Sequence, residues 1–227
     1  MGCLLLTRTL LFFTRHGAKD DKYKEIWTGQ IDAELSQKGL DQATNLGLQL
    51  KEQNIIPDVV VSSSLKRGVS TAKNIVSALN NKPILEFYNE FIEMTHGDVD
   101  GLTEEEFVAR YPEILEAWDR EEDPRFPNGE NFEDVQNRAM PKLKEILKKY
   151  EGKKILFVGH KSVNMVIIGG LLHIDYPFRY IPQQDVCYLS LFIFKGKKSK
   201  LKFLNISPES LGNYKLFGYI PSLTVKN

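Results

Sequence analysis

The chain of 227 residues carries 30 basic and 30 acidic residues, and hydrophobic residues make up 42% of it. A formal net charge of zero argues against nucleic acid or an anionic membrane as the main partner, because both attract a net or clustered positive charge. The length suits one large domain or two small ones. The two cysteines, Cys3 and Cys187, are too few for a disulfide framework and lack metal-site spacing, which favours a reducing, cytoplasmic location.

Residues 1–7 precede the first apolar run. Their Met-Gly-Cys start resembles an acylation site, but that motif requires Ser or Thr at the position of Leu6. Arg8 interrupts the apolar residues before they reach the length of a signal peptide. We therefore expect residues 1–7 to be a short ordered extension. No stretch of the sequence is apolar over the length of a bilayer, and we expect no membrane partner.

Apolar runs and helical spacing alternate along the chain. Short apolar runs predict strands at 9–14, 59–61, 84–87 and 154–159. Amphipathic spacing and capping residues predict helices at 36–50, 65–79, 103–118, 131–150 and 162–172. Alternating segments on either side of a lysine-rich glycine turn predict a β-hairpin at 186–194 and 201–206.

This alternation predicts an α/β fold, a three-layer sandwich with a mostly parallel central sheet and helices on both faces. The helical, acidic segment at about 103–130 is expected to form an insertion, or lid, over the active site. Residues 207–227 carry no regular pattern and predict an irregular tail. Because there is neither an internal repeat nor an obvious linker, we expect residues 1–227 to form a single domain.

Charged or titratable residues stand near the ends of the predicted parallel strands. Arg15 and His16 follow the first strand, and Arg67 lies in the first turn of the helix after the second. Glu93 follows the third strand and His160 follows the fourth. Ligands of open α/β sheets bind beyond the carboxyl ends of the strands, so these side chains should converge on one edge of the sheet.

Two arginines, two histidines and one carboxylate suit a phosphate group. Two guanidiniums match a tetrahedral dianion, and the N-terminus of the helix after Ser64 should add backbone N–H donors. An unprotonated imidazole can attack phosphorus, and a protonated carboxyl group can donate its proton to the leaving alkoxide. If the second histidine is protonated and helps the arginines to neutralise the transition state, no metal ion or other cofactor is required.

Further blocks accompany these residues in a fixed order. They are Thr-Arg-His-Gly at 14–17, Gly-x-x-Asp-x-x-Leu-Ser-x-x-Gly at 29–39, Ser-Ser-Ser-Leu-x-Arg at 62–67 with Thr-Ala at 71–72, the acid loop at 93–103, Gly-Glu-Asn at 129–131 and Val-Gly-His at 158–160. Together the blocks resemble the histidine phosphatase superfamily, which contains cofactor-dependent phosphoglycerate mutases and many phosphatases. The resemblance spans residues 10 to about 172.

The resemblance implies a role for each of the five residues. It implies that His16 is the nucleophile that becomes phosphohistidine and that Glu93 is the proton donor. It also implies that Arg15, Arg67 and His160 hold the phosphoryl group.

Several positions depart from the family pattern or extend it. Ala18 stands where the family usually has an acidic or other polar residue, and Lys22 stands where many members place a phosphate-contacting asparagine. Lys22 can serve the same anion as a point charge or can be solvated, and the sequence leaves both open. Thr28 and Gly29, in a loop expected over the sheet edge, are further candidates for substrate binding.

Aromatic residues near these blocks have two interpretations. Tyr23, Trp27, Trp118 and Phe126 either line the mouth of the site and select an apolar or ring-bearing leaving group, or they pack in the core. His96 can likewise reach the substrate or be a hydrogen-bonded loop histidine.

The segment between Glu93 and His160 separates the phosphatase from the mutase interpretation. It is shorter than in mutases, and Met-Thr-His-Gly-Asp at 94–98 is similar to the phosphatase branch. The acidic insertion should also disfavour a small, highly charged substrate such as a bisphosphoglycerate. We expect a metal-independent phosphomonoesterase of the histidine acid phosphatase type, acting on a small molecule and forming a possible homodimer. A phosphoglycerate mutase and a non-catalytic phospho-ligand-binding protein are the alternatives.

Overall fold

A six-stranded sheet organises the fold in the computed structural model, which describes residues 8–79, 81–174, 181–196 and 198–213. The strands are β1 (Arg8–Arg15), β2 (Val59–Ser62), β3 (Ile84–Phe87), β4 (Lys154–Gly159), β5 (Leu189–Lys195) and β6 (Lys198–Ile206). The α-helices of the described residues are α1 (Gln37–Glu52), α2 (Lys66–Ala78), α3 (Glu104–Arg110), α4 (Pro112–Asp119), α5 (Phe132–Lys149) and α6 (Lys161–Leu172). Short 3-10 helices occur at Asp21–Tyr23, Asn89–Phe91, Gly97–Val99 and Pro208–Asn213.

The strand order is β3-β2-β4-β1-β5-β6. The first four strands run parallel to one another, whereas β5 is antiparallel to β1 and β6 is antiparallel to β5. The parallel strands need helical crossovers, while the antiparallel pair follows directly as a hairpin. The carboxyl ends of β1, β2 and β4 therefore lie at one edge of the sheet, as the sequence predicts.

Alternate residues of β1 belong to two different cores. Leu11 and Phe13 pack in the cluster that contains the buried side chains of α5 and α6, whereas Leu10 and Phe12 pack with those of α1 and α2. A strand that is apolar at both faces is expected where helices cover both sides of a sheet. The predicted three-layer α/β sandwich is confirmed.

Side-chain caps begin the helices where the sequence indicates. Ser36 Oγ accepts a hydrogen bond from the backbone N–H of Gly39 at 3.1 Å, ahead of α1. Thr103 and Glu106 form a capping box at α3, and the Asn131 side chain caps α5. These caps satisfy backbone donors that a helix leaves free at its N-terminus.

The predicted helix at 103–118 is wrong in one respect, because the structure contains two helices there. Pro112 is the first residue of α4, and the residue before it, Tyr111, has φ −133° and ψ 52°. A proline disfavours the helical conformation of the preceding residue, so α3 ends before Tyr111 and α4 starts a new direction. The hairpin also begins later than predicted, at Leu189, because Tyr188 N–H closes a turn onto Asp185 O.

Other predictions reach beyond the described residues. The expected N-terminal extension at 1–7 and the part of the tail after 213 lie outside them, whereas Pro208–Asn213 is a 3-10 helix and not irregular. No α-helix in the described ranges combines the length and the apolarity needed to cross a membrane.

Helices α1 and α2 pack closely at Gly47, which yields a test of the packing. A Cβ atom at Gly47 would lie 2.5 Å from the backbone oxygen of Ile75 and 2.8 Å from Cβ of Ala78. We expect Gly47→Ala to lower the free energy of unfolding by about 1–3 kcal/mol, because overpacking against backbone exceeds the gain of about 1 kcal/mol in helix propensity. Chemical denaturation followed by circular dichroism measures this change.

Gly170→Ala is the matched control for this test. A Cβ atom at Gly170 in α6 would meet Met140 Cε at 2.8 Å, which is the far end of a flexible side chain. This variant should lose less stability than Gly47→Ala, and equal losses would contradict the packing argument.

Candidate active site

The turn after β1 presents His16 at the edge of the sheet. The backbone N–H of His16 donates to Gly159 O at 3.0 Å, which extends the pairing of β1 with β4 by one residue. Gly17 N–H donates to Thr71 Oγ1 at 3.0 Å, and a Cβ atom on Gly17 would lie 2.4 Å from Gly39 O. The glycine is required here because the start of α1 approaches the turn closely.

His16 is a neutral imidazole with a defined tautomer. Its Nδ1 lies 2.7 Å from Gly17 O, and a carbonyl oxygen only accepts, so Nδ1 carries the proton and Nε2 is free of one. The side chain is 4% exposed. Burial lowers the pKa of His16 well below its usual range, and the positive charges of Arg67 and Arg15 lower that pKa further. An unprotonated Nε2 is the form that can attack phosphorus.

His160 is also neutral, which corrects the expectation of a protonated second histidine. Arg67 Nε donates to its Nδ1 at 3.2 Å, so the proton of His160 is on Nε2, which lies 2.7 Å from Ser63 Oγ. The ring is completely buried, and burial lowers its pKa well below the usual range, assisted by Arg67. Its centroid lies 5.0 Å from that of His16, where a second positive charge would be unfavourable.

The Arg67 guanidinium is buried and ties three segments together. Nη1 donates to Ile31 O at 2.8 Å, Nη2 donates to Gly29 O at 2.6 Å, and Nε binds His160. Because each Nη carries two hydrogens, two N–H groups are left for a ligand, and Arg67 lines the cavity described below.

Arg15 is the second guanidinium at the site. Its Nη1 donates to Gln184 O at 3.4 Å, and its buried Nε has no hydrogen-bond partner among the described residues. Burial lowers the pKa of Arg15, while the negative charges of Glu93 and Asp185 oppose that shift. The Arg15 guanidinium thus keeps N–H groups that make no hydrogen bond within the described residues, and these N–H groups can bind an oxyanion.

The Glu93 carboxylate faces the two arginines across the cavity and is 7% exposed. The backbone N–H of Met94 donates to Oε1 at 2.9 Å, and that of Ser162 lies 3.2 Å from Oε1 and 3.3 Å from Oε2. Ser162 belongs to the first turn of α6, so the positive end of the helix dipole also holds this carboxylate in place.

Arg138 fixes the backbone from Glu90 to Glu93, where the acid loop starts, and was not singled out from the sequence. Its guanidinium donates to the carbonyl oxygens of Glu90, Ile92 and Glu93 at 2.8, 2.9 and 3.2 Å. Glu130 binds the same guanidinium through both carboxylate oxygens, at 2.7 and 2.9 Å. The Gly-Glu-Asn block at 129–131 was recognised, but nothing local indicates which arginine its glutamate would bind.

A cavity of about 590 Å³ opens between the sheet edge and α3 and α4. Of the residues expected to act at the site, those on its wall are Arg15, His16, Thr28, Gly29, Arg67 and Glu93. His160 lies behind the wall, where it contacts Arg67.

Lys22 does not line this cavity, whereas Lys19 does. Lys22 is exposed, its backbone N–H donates to Asp20 Oδ1 at 3.1 Å, and its ammonium lies 4.9 Å from the ring centroid of Tyr23. Nζ of Lys19 contacts Thr28 Oγ1. The structure therefore places Lys19, and not Lys22, at the candidate site.

The N-terminus of α2 does not supply the donors that were expected for phosphate. The backbone N–H of Lys66 donates to Asp32 Oδ1 at 2.7 Å, and that of Leu65 donates to Ser63 Oγ at 3.3 Å. Neither residue lines the cavity. A side-chain carboxylate thus takes the position at the helix end that an anion would otherwise occupy.

The inner face of α3, α4 and the loop after them is aromatic and not acidic. Trp27, Trp118 and Phe126 line the cavity, and the Trp27 ring lies 6.5 Å from Trp118 and 5.8 Å from Phe126, centroid to centroid. Phe126 is 2% exposed and belongs to the core, against which Trp27 and Trp118 pack. Of the nine acidic residues between 104 and 123, Glu104 alone lines the cavity, and it accepts from Trp27 Nε1 at 3.0 Å. The acidic insertion therefore gives less discrimination against charged substrates than its composition indicates.

Two further aromatic candidates have different positions. His96 lines the cavity and its Nδ1 lies 2.8 Å from Asp100 Oδ1, with the Trp27 and Phe126 centroids each 4.8 Å from its ring. Tyr23 does not line the cavity.

Within the described residues, no group of three or more His, Cys, Asp or Glu side chains is arranged to hold a metal ion.

A model of the histidine phosphatase superfamily, branch 1, matches residues 11–207. The chain belongs to this superfamily. It is 31% identical to phosphoserine phosphatase 1 of Hydrogenobacter thermophilus over 73% of this chain and 77% of the relative. It is also 30% identical to a 2,3-bisphosphoglycerate-dependent phosphoglycerate mutase of Methylorubrum populi, over 70% and 79% of the two chains. The superfamily member is thus a phosphatase or a mutase-like enzyme.

A solved structure shows the same fold. YhfR of Bacillus stearothermophilus has a TM-score of 0.78 and 22% identity, with 87% of this chain and 97% of that chain covered.

The tautomers of the two histidines can be measured directly. We expect ¹⁵N NMR at pH 6 to show neutral imidazoles, with the proton on Nδ1 of His16 and on Nε2 of His160, because burial and Arg67 lower both pKa values. The unfolded chain binds protons at these histidines near pH 6.5, so the free energy of unfolding should fall as the pH drops below about 6.5. An imidazolium signal from either residue at pH 6 would contradict this assignment.

Arg138 should act as a positioning residue for Glu93. We expect Arg138→Lys to lower kcat on phosphomonoesters by about tenfold or more with little change in KM. An ammonium group has three N–H donors on one nitrogen and cannot replace the five hydrogen bonds of Arg138 to three carbonyl oxygens and Glu130. Misplacement of a catalytic group by a fraction of an ångström slows the reaction. Arg125→Lys is the control, since Arg125 is exposed and binds Asp134 and Gly129 O but not the acid loop. Equal effects of the two variants would argue against this role.

Proposed function

We propose that this protein is a metal-independent phosphomonoester hydrolase that works through a phosphohistidine on His16. The observation that carries the proposal is the hydrogen bond from Nδ1 of His16 to Gly17 O, which leaves Nε2 unprotonated in a residue on the cavity wall. Arg15 and Arg67 supply the N–H donors for the phosphoryl oxygens. The short segment between Glu93 and His160 and the tryptophans on the cavity wall, Trp27 and Trp118, support a phosphatase over a mutase.

In the first step, the lone pair of Nε2 attacks phosphorus and the bond from phosphorus to the leaving oxygen breaks. The electron pair of that bond goes to the leaving oxygen, which takes a proton from Glu93 after the Glu93 carboxylate has gained that proton from solvent. The phosphorylated imidazole gains positive charge, and its Nδ1–H bond to Gly17 O stabilises that charge.

In the second step, water attacks phosphorus and the bond from phosphorus to Nε2 breaks. The electron pair returns to Nε2, and the Glu93 carboxylate accepts the proton of the water. Inorganic phosphate leaves and both groups regain their initial state. His160 acts through Arg67 in this scheme, by accepting a hydrogen bond from Nε of the guanidinium.

The nucleophile is tested with para-nitrophenyl phosphate in the presence of EDTA. We expect turnover by the wild type, a loss of about 10³-fold or more in His16→Ala, and an acid-labile phosphoryl group trapped on His16. Wild-type activity that requires a metal, or a trapped label at another residue, would refute the mechanism.

Glu93 is tested with two leaving groups of different basicity. An alkoxide needs protonation more than para-nitrophenolate, so Glu93→Gln should lose about 10²-fold or more on an alkyl phosphate and markedly less on para-nitrophenyl phosphate. Glu90→Gln is the matched control, because Glu90 lies in the same segment, pairs with Lys142 at 3.5 Å and does not line the cavity. Equal losses on both substrates would contradict the role of proton donor.

Phosphoglycerate mutase is the second candidate, favoured by mutases among the relatives. Formation of 2-phosphoglycerate from 3-phosphoglycerate with catalytic 2,3-bisphosphoglycerate would establish it. The single domain, the cytoplasmic location, the small-molecule substrate and the homodimer are predictions from the sequence and stay so.

A further inference from the structure

Two lysines line the cavity beside the arginines, and the proposed mechanism uses neither. Lys19 lies three residues after His16, and its ammonium contacts Thr28 Oγ1. Lys161 is the first residue of α6 and follows His160 directly. Both side chains are half-buried.

Neither ammonium group has a carboxylate partner. In the described part of the chain, no ion pair joins Lys19 or Lys161 to an acidic side chain, whereas exposed lysines such as Lys66 and Lys149 are paired. The other cavity carboxylates, Glu25 and Glu104, already have contacts, with Lys24 at 4.0 Å and with Trp27 Nε1.

Burial and nearby arginines destabilise the charged form of both lysines more than nearby carboxylates stabilise it. Burial, Arg67 and Arg15 lower the pKa of Lys19 to about 8, and Glu93 only partly opposes this. Burial and Arg15 likewise lower the pKa of Lys161, against Glu93 and Glu104. Cations that burial and like charges destabilise in a cavity are typical of a binding site for an anion.

The phosphoryl group alone does not account for this charge. In the proposed function, which this inference rests on and extends, the two guanidiniums already match the charge of a phosphoryl dianion. Five cationic side chains line the cavity against three carboxylates, and Glu93 is neutral when it is protonated to act as the proton donor. The cations then exceed the remaining carboxylates by three, against the two negative charges of a phosphoryl dianion. A substrate whose only anion is its phosphoryl group would leave the two lysines without a partner.

We propose that Lys19 and Lys161 bind a second anionic group of the substrate, a carboxylate or its equivalent, next to the phosphoryl site. The half-buried Trp27 and Trp118, which also line the cavity, would contact the rest of the molecule. The substrate class is therefore a phosphomonoester that carries an additional acidic group and an apolar or ring-bearing portion.

Equilibrium binding of phosphonates tests the second anion independently of turnover. Phenylphosphonate is compared with 3- and 4-carboxyphenylphosphonate by isothermal titration calorimetry at pH 7, because their C–P bond cannot be hydrolysed by phosphoryl transfer. We expect the better carboxylated ligand to bind wild type about tenfold more tightly than phenylphosphonate. Equal dissociation constants for all three ligands would overturn the proposal.

Variants assign the effect to the two lysines. The measured quantity is the dissociation constant of phenylphosphonate divided by that of the better carboxylated phosphonate. Lys19→Met and Lys161→Met should each reduce this ratio by about threefold or more, and any common loss of phosphonate affinity cancels in it. Lys22→Met is the matched control, since Lys22 is exposed and does not line the cavity, and its ratio should equal that of the wild type. If Lys19→Met weakens all three ligands equally, Lys19 binds the phosphoryl group instead and the proposal fails.

The two proposals fail in different ways. Absence of phenyl phosphate hydrolysis by the wild type would refute the proposed hydrolase, whatever the phosphonates show. Hydrolysis of phenyl phosphate without any preference for carboxylated phosphonates would refute the second anion site alone.

Discussion

The site depends on one buried guanidinium. Arg67 is 1% exposed, and its hydrogen bonds join the loop that carries Gly29 and Ile31 to His160 at the end of β4. Burying a charge is unfavourable unless its hydrogen bonds are satisfied, and here three neutral acceptors satisfy part of them without cancelling the charge. The remaining N–H groups and most of the positive charge stay available to a ligand. This arrangement explains why the loop, the second histidine and the cavity wall have fixed positions relative to His16.

The same charge determines the state of the nucleophile. Arg67 and Arg15 disfavour a proton on either histidine, and burial acts in the same direction, so the pKa values of both rings are lowered. Hydrogen bonding then selects the tautomer: a carbonyl acceptor holds the proton of His16 on Nδ1, and the Arg67 donor holds that of His160 on Nε2. Cations at this site therefore have two effects. They attract an oxyanion, and they keep the attacking nitrogen, Nε2 of His16, unprotonated. A carboxylate partner for Arg67 in place of His160 would weaken both effects.

The sequence predicts the fold and the residues at the strand ends well, because apolar runs define parallel strands and parallel strands end at one edge. It predicts less where contacts depend on turns or on distant segments. Lys19 and Lys22 illustrate this: Lys19 pairs with Leu35 in an isolated bridge, while Asp20 caps a 3-10 turn that directs Lys22 to solvent. Counting residues from His16 cannot distinguish them.

The contacts of Arg138 with the backbone around Glu93 span 45 to 48 residues, and no local pattern encodes them. The break at Tyr111 was readable from Pro112 and was missed because helical spacing continues across it.

A formal net charge of zero conceals an uneven distribution of charge. The acidic residues of the insertion are mostly exposed, whereas four cationic residues of the cavity wall, Arg15, Lys19, Arg67 and Lys161, are buried or half-buried. An anionic substrate therefore meets a negative outer surface and a positive cavity lined in part by aromatic rings. The outer charge slows the approach of highly charged solutes only within a Debye length, about 8 Å at physiological ionic strength. Burial of these cations strengthens their attraction for an anion, since charges interact more strongly where the dielectric is low. Selection among phosphomonoesters then depends on whether the rest of the molecule can contact Trp27 and Trp118 while its anions reach the cationic side chains.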